Sequence, residues 1–560
     1  MLKSGRLAAA IVASGAVLNP LARANAITVA NNVVAAWIQL GPGSSAAALN
    51  SGGYGDVPVN ITAAGLTPTI LARAVINGGA CPALTVDGTP MTMNVRFTGS
   101  QLTSTPGTAS PSGATNAPAP NGYPNYPQYF VSASATSPAN FLDGTPQATT
   151  SWGECEAVVP AGHTTATIGS TVLKLPVANP QKILVIADTG CRMSNSSQQS
   201  CHNVPGYNPF PFAQLAAYEA LFKPDLIVQV GDWFYRDTDC QLSPSTGAEY
   251  TPGCSNPANA NYQTWGDTFD SWNADVIFPG APLLAAAPWV MTRGNHESCG
   301  RGARGWYALL DPHPFNLANV TCAYKSGAAK VTTGANYSGD FEPSYAVPAG
   351  AVNLIVHDSS YANDSTVDAN MATNYDYDLT SVLNQLPNAS YNILVTHKPA
   401  YGLVNGGTPP GPENGGDVTE QYTFAGAPTG IKSAFYGGTV PYKLALFLSG
   451  HIHQLEYVNF QDYTHYAPQL VVGVGGTNLD TATNAPAVTY GYQDQPFVIA
   501  NSPTSTTTAT VSHAYSQAEF GFALLQATPT GYIANVYNTN SNKAGRCTIT
   551  LNPRNIACWE

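Results

Sequence analysis

Ile183-Leu-Val-Ile-Ala-Asp188 is a run of apolar residues closed by an acid. The same form returns in Leu226-Ile-Val-Gln-Val-Gly-Asp232 and Trp289-Val-Met-Thr-Arg-Gly-Asn295. It returns again in Ile393-Leu-Val-Thr-His397 and Leu444-Ala-Leu-Phe-Leu-Ser-Gly-His451, and a last run, Leu470-Val-Val-Gly-Val-Gly-Gly476, ends in glycine. Continuous apolar runs of this length predict strands covered on both faces. Helical stretches fit between them, for instance Ala213 to Phe222 and Tyr262 to Ile277. The texture is that of an α/β domain over residues 179–560. In open α/β sheets the ligand site lies beyond the carboxyl ends of the strands, and here those ends carry Asp, Asn and His.

Outward from this core the chain is unusual in charge. Of its 560 residues 44% are hydrophobic and only 10% charged, against roughly 25% charged in an ordinary soluble domain. The 33 acids outnumber the 21 bases for a net charge of −12, which argues against nucleic acid as a partner held through its phosphates. Lys3 and Arg6, an apolar run from Leu7 to Leu18 and Ala24-Asn25-Ala26 have the order of a signal peptide over residues 1–26, cleaved after Ala26. No later stretch has the roughly 18 apolar residues of a membrane-spanning helix, so no membrane anchor is expected and the protein is read as secreted or periplasmic.

An even set of ten cysteines fits export. Proximity in sequence suggests Cys81–Cys155, Cys191–Cys201, Cys240–Cys254, Cys299–Cys322 and Cys547–Cys558, although sequence does not fix connectivity. Residues 27–178 show short strand-like runs such as Met93 to Phe97 and Thr165 to Leu175 and carry no catalytic constellation. They read as a β-rich accessory domain with a low-complexity insertion near 101–150, joined to the rest by Val177-Ala-Asn-Pro180.

The strand ends supply Asp188-Thr-Gly190, Gly231-Asp232-Trp-Phe-Tyr235, Gly294-Asn295-His296-Glu297, His397 and Gly450-His451-Ile-His453. Singly these are ambiguous, because Gly-Asp commonly makes a turn and a lone His commonly packs in a core. Together they offer what a pair of metal ions about 3.5–4 Å apart requires: a bridging carboxylate with carboxylate, imidazole and neutral oxygen ligands around it. Glycine beside each ligand lets the backbone come close to the ions.

With these motifs, residues 182 to about 480 resemble the calcineurin-like metallophosphoesterase superfamily. The resemblance implies a two-sheet β-sandwich core flanked by helices. The superfamily's opening motif is usually Asp-x-His, and here Gly190 stands where that His would be. Tyr235, three residues after Asp232, is the replacement found in purple acid phosphatases, which the chain therefore resembles more narrowly. Carried over residue by residue, the resemblance places Asp188, Tyr235 and His453 on metal one and Asn295, His397 and His451 on metal two. Asp232 bridges them, His296 protonates the leaving oxygen, and Glu297 orients its neighbours. Leu394 stands where the family often has Val.

A phenolate is a hard anionic ligand, so Fe(III) is expected at metal one with a divalent Zn, Fe or Mn partner. Five positive charges against two carboxylates, one phenolate and one hydroxide leave the cluster about one positive charge with which to attract a phosphate ester. The reaction implied is in-line attack of a metal-bound hydroxide on a phosphomonoester, with an acidic optimum. A phosphodiesterase on the same metals, acting on nucleotide or phospholipid headgroup linkages, is the first alternative. A non-catalytic carbohydrate- or surface-binding protein is the second. His202, Arg293, Arg301 and Arg304 are candidate substrate contacts, and a plain solvated loop is the competing reading for the arginines. The partner expected is a small phosphate ester, and the sequence leaves the oligomeric state open.

Overall fold

The structure is a computed structural model that describes residues 33–42, 61–62, 65–98, 152–193, 199, 201, 208–236, 267, 269–298, 301–315, 342–383, 386, 391–405, 412–414, 421, 443–463, 465–480, 495–502, 504–540 and 542–559. The expected signal peptide over residues 1–26, the expected insertion near 101–150, His202, and Cys240, Cys254, Cys299 and Cys322 lie outside the described residues.

All the apolar runs that define the core are strands, and each alternates its side chains between two environments. Along Lys182–Ile186, Ile183 and Val185 face one core while Leu184 and Ile186 face another. Along Tyr391–Thr396, Ile393 and Val395 face the first of these and Leu394 a third. Both faces are therefore buried, which is why the runs are apolar throughout rather than alternating. Each such Val, Leu or Ile contributes about 1.5–3 kcal/mol on leaving water.

Two sheets result. The first has eleven strands among the described residues, and its centre is the parallel set Lys182–Ile186, Leu226–Val230 and Trp289–Thr292. The second has eight, centred on the parallel set Val352–His357, Tyr391–Thr396, Lys443–Ser449 and Gln469–Val472. One hydrophobic cluster draws on both sheets and forms the middle of the sandwich. Helix Phe212–Leu221 and the helical stretch Phe269–Leu284 cover the outer face of the first sheet, and helix Ala369–Leu383 covers that of the second. The helix expected to end at Ile277 continues to Leu284. A wide turn over Asn273–Ile277 precedes Phe278–Leu284, which carries Pro279 in its first turn and Pro282 in its interior.

The amino-terminal region is β-rich, but the sheet does not break at residue 178. Strand Val33–Gly41 pairs in parallel with Trp289–Thr292 through Gln39 and Trp289, and Thr69–Asn77, Trp152–Val158 and Asn94–Thr98 extend the same sheet. The Thr165–Leu175 run divides into the hairpin Thr165–Ile168 and Thr171–Lys174, turning at Gly169 with φ 58°. From these strands Arg73 and Arg96 reach the segment after the 295–305 loop. Arg73 donates to the carbonyls of Leu309 and Asp311, and Arg96 to those of Tyr307, Ala308, Asp311 and His313. Disulfides join Cys81 to Cys155, Cys191 to Cys201 and Cys547 to Cys558. Among the described residues no helix is long and apolar enough to cross a membrane.

Candidate metal centre

The carboxyl ends of the central strands of both sheets meet at one place. Asp188, Asp232 and Asn295 follow strands of the first sheet, and His397, His451 and His453 follow strands of the second. The backbone there is strained in a consistent way. Asp188, Asp232 and His451 have φ of 56°, 54° and 71°, three of the five non-glycine residues with positive φ among the described ones. Each costs of order 1–3 kcal/mol, which the surrounding contacts must offset. Glycine makes the close approaches possible. A Cβ on Gly231, itself at φ 89°, would lie 2.4 Å from the His397 ring, and one on Gly294 would lie 2.1 Å from Asp232 Oδ1.

Around these residues the acceptors crowd onto single protons at two points. At the first, Tyr235 Oη lies 2.6 Å from Asp188 Oδ1, 2.8 Å from Asp232 Oδ2 and 2.9 Å from His453 Nε2. A phenol has one proton to give, so it cannot satisfy both carboxylates. At the second, His397 Nε2 lies 3.1 Å from Asp232 Oδ2 and 3.1 Å from Asn295 Oδ1, both acceptors. Its Nδ1–H donates to the Val230 carbonyl at 2.9 Å, which fixes the ring and aims Nε2 at the cluster. Both points share Asp232 Oδ2, while Asp232 Oδ1 is taken by the His296 N–H at 2.8 Å.

Electrostatics agree. Burial, with Asp188 and Asp232 beside it, pushes the Tyr235 phenol well above its usual range. Burial alone would depress the His397 imidazole, but Asp232 and then Asp188 outweigh it and lift it to about 9. Burial likewise opposes ionisation of Asp232, and the imidazoles of His397 and His296 overcome that and hold the carboxyl well below the carboxylate range. Buried anions that share too few protons are a donor set suited to cations. Two cations could take the place of these two protons, with Asp232 Oδ2 between them.

Other residues hold this set in place. Glu297 accepts from the N–H groups of Asp232, Trp233, Phe234 and Gly294 at 2.8–3.1 Å, so one buried carboxyl fixes the whole 232–235 turn. Burial and the neighbouring Asp232 push that carboxyl up to about 8. Asp275, on the wide helical turn, accepts from the Tyr235 N–H at 3.3 Å and pairs with Arg236 at 2.6 Å. A Cβ on Gly190 would lie 2.6 Å from the Trp233 carbonyl and 2.9 Å from the Tyr235 nitrogen. The packing thus leaves no room at position 190 for the imidazole that the sequence lacks, and Tyr235 fills the cluster instead.

The ring of His296 lies 3.9 Å from that of Tyr235, beside the cluster. Arg293 is buried, donating to the Glu297 carbonyl at 2.9 Å and to Asp358 at 3.1 Å, with its guanidinium over the Tyr307 ring. Those contacts make it part of the scaffold rather than a substrate contact. Arg304 is half-buried, its N–H held by Asp267 at 2.8 Å, and Arg301 is exposed. Sequence reasoning missed Asp275, Asp364 and Asp480. Asp364 lies 3.3 Å from His451 Nε2, and Asp480 accepts the His453 N–H at 2.9 Å. Neither stands in a recognisable motif, so no local signal marked them.

Residues 181–455 match the family model described as calcineurin-like phosphoesterase. No curated protein matches the chain in sequence. Among solved structures, the chain is similar to purple acid phosphatase PPD1 from yellow lupin (Lupinus luteus) seeds, at 14% identity and TM-score 0.44, over 85% of this chain and 71% of that one. It is similar to PhoD at 12% identity and TM-score 0.44, over 95% and 93% of the two chains. It is also similar to GAP50, described as the anchor in the inner membrane complex of Plasmodium, at 12% identity and TM-score 0.31, over 67% and 89%. Over residues 181–455 the chain matches the calcineurin-like phosphoesterases, a match that supports a metal-dependent phosphoesterase, and its candidate ligands there converge on Asp232.

Proposed function

We propose that the protein is an exported hydrolase of phosphomonoesters working at a two-metal centre. In this reading Fe(III) sits with Asp188, Tyr235 and His453, and a divalent ion sits with Asn295, His397 and His451. The observation that carries it is the shared Asp232 Oδ2, which faces Tyr235 Oη at 2.8 Å and His397 Nε2 at 3.1 Å. A phenolate is a hard anionic ligand, which favours a ferric ion at that point.

Bound there, the ions supply Lewis acidity toward the phosphoryl oxygens and lower the pKa of a water nucleophile. The chain's own residues do the rest. Glu297 holds the N–H groups of residues 232–234, which would keep the Asp232 carboxylate still during turnover. His296 has its backbone tied to Asp232 and its ring beside Tyr235, and it delivers a proton to the leaving oxygen. Arg301 is the exposed cation on the loop that folds back on His296 through the Gly302 N–H, 2.9 Å from the His296 carbonyl. In this reading it meets an anionic part of the substrate. A ferric ion would lower the pKa of a water nucleophile further than a divalent ion does, so the optimum expected is acidic.

The test is hydrolysis of an aryl phosphomonoester against the matching diester, from about pH 4 to 8, with Asp232→Asn as the blank. Removal of the bridging carboxylate should lower monoester turnover about 1,000-fold or more. Faster diester turnover would leave the metal assignment standing and overturn the substrate class. No turnover of either compound by a protein holding both ions would overturn the enzymatic reading.

A further inference from the structure

The metal-two ligand His451 is held by a part of the chain that no motif marks. Its backbone is fixed by donation of its N–H to Asp188 Oδ2 at 2.9 Å, in the left-handed conformation noted above. Its side chain meets Asp364, whose Oδ1 lies 3.3 Å from His451 Nε2. With a carboxylate at this distance, Nε2 is the nitrogen suited to carry the proton, which would leave Nδ1 the lone pair. A His451 atom lies within 4.8 Å of ligand atoms of both Asp232 and His397, where a second ion would be bound.

Asp364 is in turn held. Lys398, the residue after His397, donates from a buried Nζ to Asp364 Oδ1 at 2.7 Å and to the Ala362 carbonyl at 2.6 Å. The loop that carries Asp364 follows strand Val352–His357 and is pinned along its length. Ser359 Oγ accepts the Lys398 N–H at 2.8 Å, and Asn363 Oδ1 accepts the N–H groups of Ser365 and Thr366 at 3.0 and 2.9 Å. Unlike the ligands, Asp364 is largely outside, with its side chain 57% exposed. An exposed carboxylate that engages a lysine and a histidine at once is more constrained than a solvated surface acid.

We propose that Asp364 is a positioning residue for metal two. It sets the tautomer and orientation of His451, and Lys398 fixes Asp364, so that a relay runs from Lys398 through Asp364 to His451. A carboxylate on the far nitrogen of a ligating histidine also raises its basicity, and loss of such a partner typically weakens metal binding 10- to 100-fold. This inference rests on the two-metal reading above and adds to it a residue outside the proposed ligand set.

The experiment measures metal content after dialysis and then Zn²⁺ rebinding by titration calorimetry, on the full chain and on Asp364→Asn. The wild-type protein should retain two ions. Asp364→Asn should keep the first and bind Zn²⁺ at the second position roughly 10- to 100-fold more weakly, with unchanged far-UV circular dichroism. Asp364→Glu should recover part of the affinity, and Lys398→Gln should lose less than Asp364→Asn. Wild-type Zn²⁺ affinity in Asp364→Asn would overturn the inference and leave the two-metal reading intact. Loss of both ions together in that variant would also overturn it, placing Asp364 in the scaffold at large. A wild-type protein that retains fewer than two ions would overturn the two-metal reading and this inference with it.

Discussion

The two sides of the Asp232 carboxylate are built differently. On the Tyr235 side the ligands themselves are enclosed, although the exposed Asp480 accepts the His453 N–H at 2.9 Å. Asp188, Tyr235 and His453 are buried, and the turn that carries Tyr235 is fixed by Glu297 and Asp275, both fully enclosed. On the His397 side the ring itself is buried, yet His451 is only partly covered and its outer nitrogen leans on the exposed Asp364. One ion would therefore be held by the packed core and the other by a polar relay reaching the surface. The difference points to unequal affinities, with the inner ion held more tightly than the outer one.

The most disruptive way to break this comparison is Gly231→Ala. The new methyl would strain a backbone at φ 89° and fall 2.4 Å from the His397 ring. Strain of about 1–3 kcal/mol is the least of it, because His397 must also move. Phosphoesterase activity should fall at least about 100-fold and the second ion should be lost, as elemental analysis would show. A variant with wild-type metal content would contradict the close approach at Gly231.

Tyr235→Phe tests the other side. It removes one hard anionic donor while the ring keeps its place beside His296. We expect an approximately 10- to 100-fold loss of affinity confined to the inner ion, and loss of any visible absorption band that a ferric phenolate gives. If the outer ion leaves first, the assignment of the two sides is reversed.

The smallest effect sharpens the comparison from outside the site. Glu219 sits fully buried in helix Phe212–Leu221 with no hydrogen-bond partner among the described residues on either carboxyl oxygen, and burial pushes its pKa well above the usual value. The folded state therefore keeps a proton that the unfolded state releases above about pH 4.3. Stability from this group is full below that pH and declines as pH rises toward the folded pKa. Glu219→Gln should leave activity unchanged. Its melting temperature should match the wild type near pH 4 and exceed it by a few degrees at pH 7. An identical pH dependence in the two proteins would mean that the carboxyl finds water in solution.

Much of the candidate site was legible because its candidate ligands sit at strand ends in short motifs. Gly231-Asp232, Gly294-Asn295 and Gly450-His451-Ile-His453 announce themselves by residue type and by the glycines that close packing demands. The supporting residues were not legible. Asp275 lies on a helix, Asp364 on a loop and Asp480 beyond a strand, and each acts on a ligand far away in sequence. Arg293 shows the reverse error. It stands beside the Asn295 motif and reads as an anion contact, but its guanidinium is used to tie the Glu297 carbonyl to Asp358.

The sequence by itself determined the strands, their two-sided burial and the chemical types at their ends, since these depend on runs of a few residues and on the period of the backbone. Tertiary structure alone decided which of those ends meet, because pairing between strands is a long-range choice. It set Asp232 Oδ2 between Tyr235 and His397, and it left no space for a side chain at Gly190. It also joined strand Val33–Gly41 to Trp289–Thr292, where composition had suggested a boundary near residue 178. Composition changes along the chain, but a sheet edge takes any strand whose hydrogen bonds and buried face fit it.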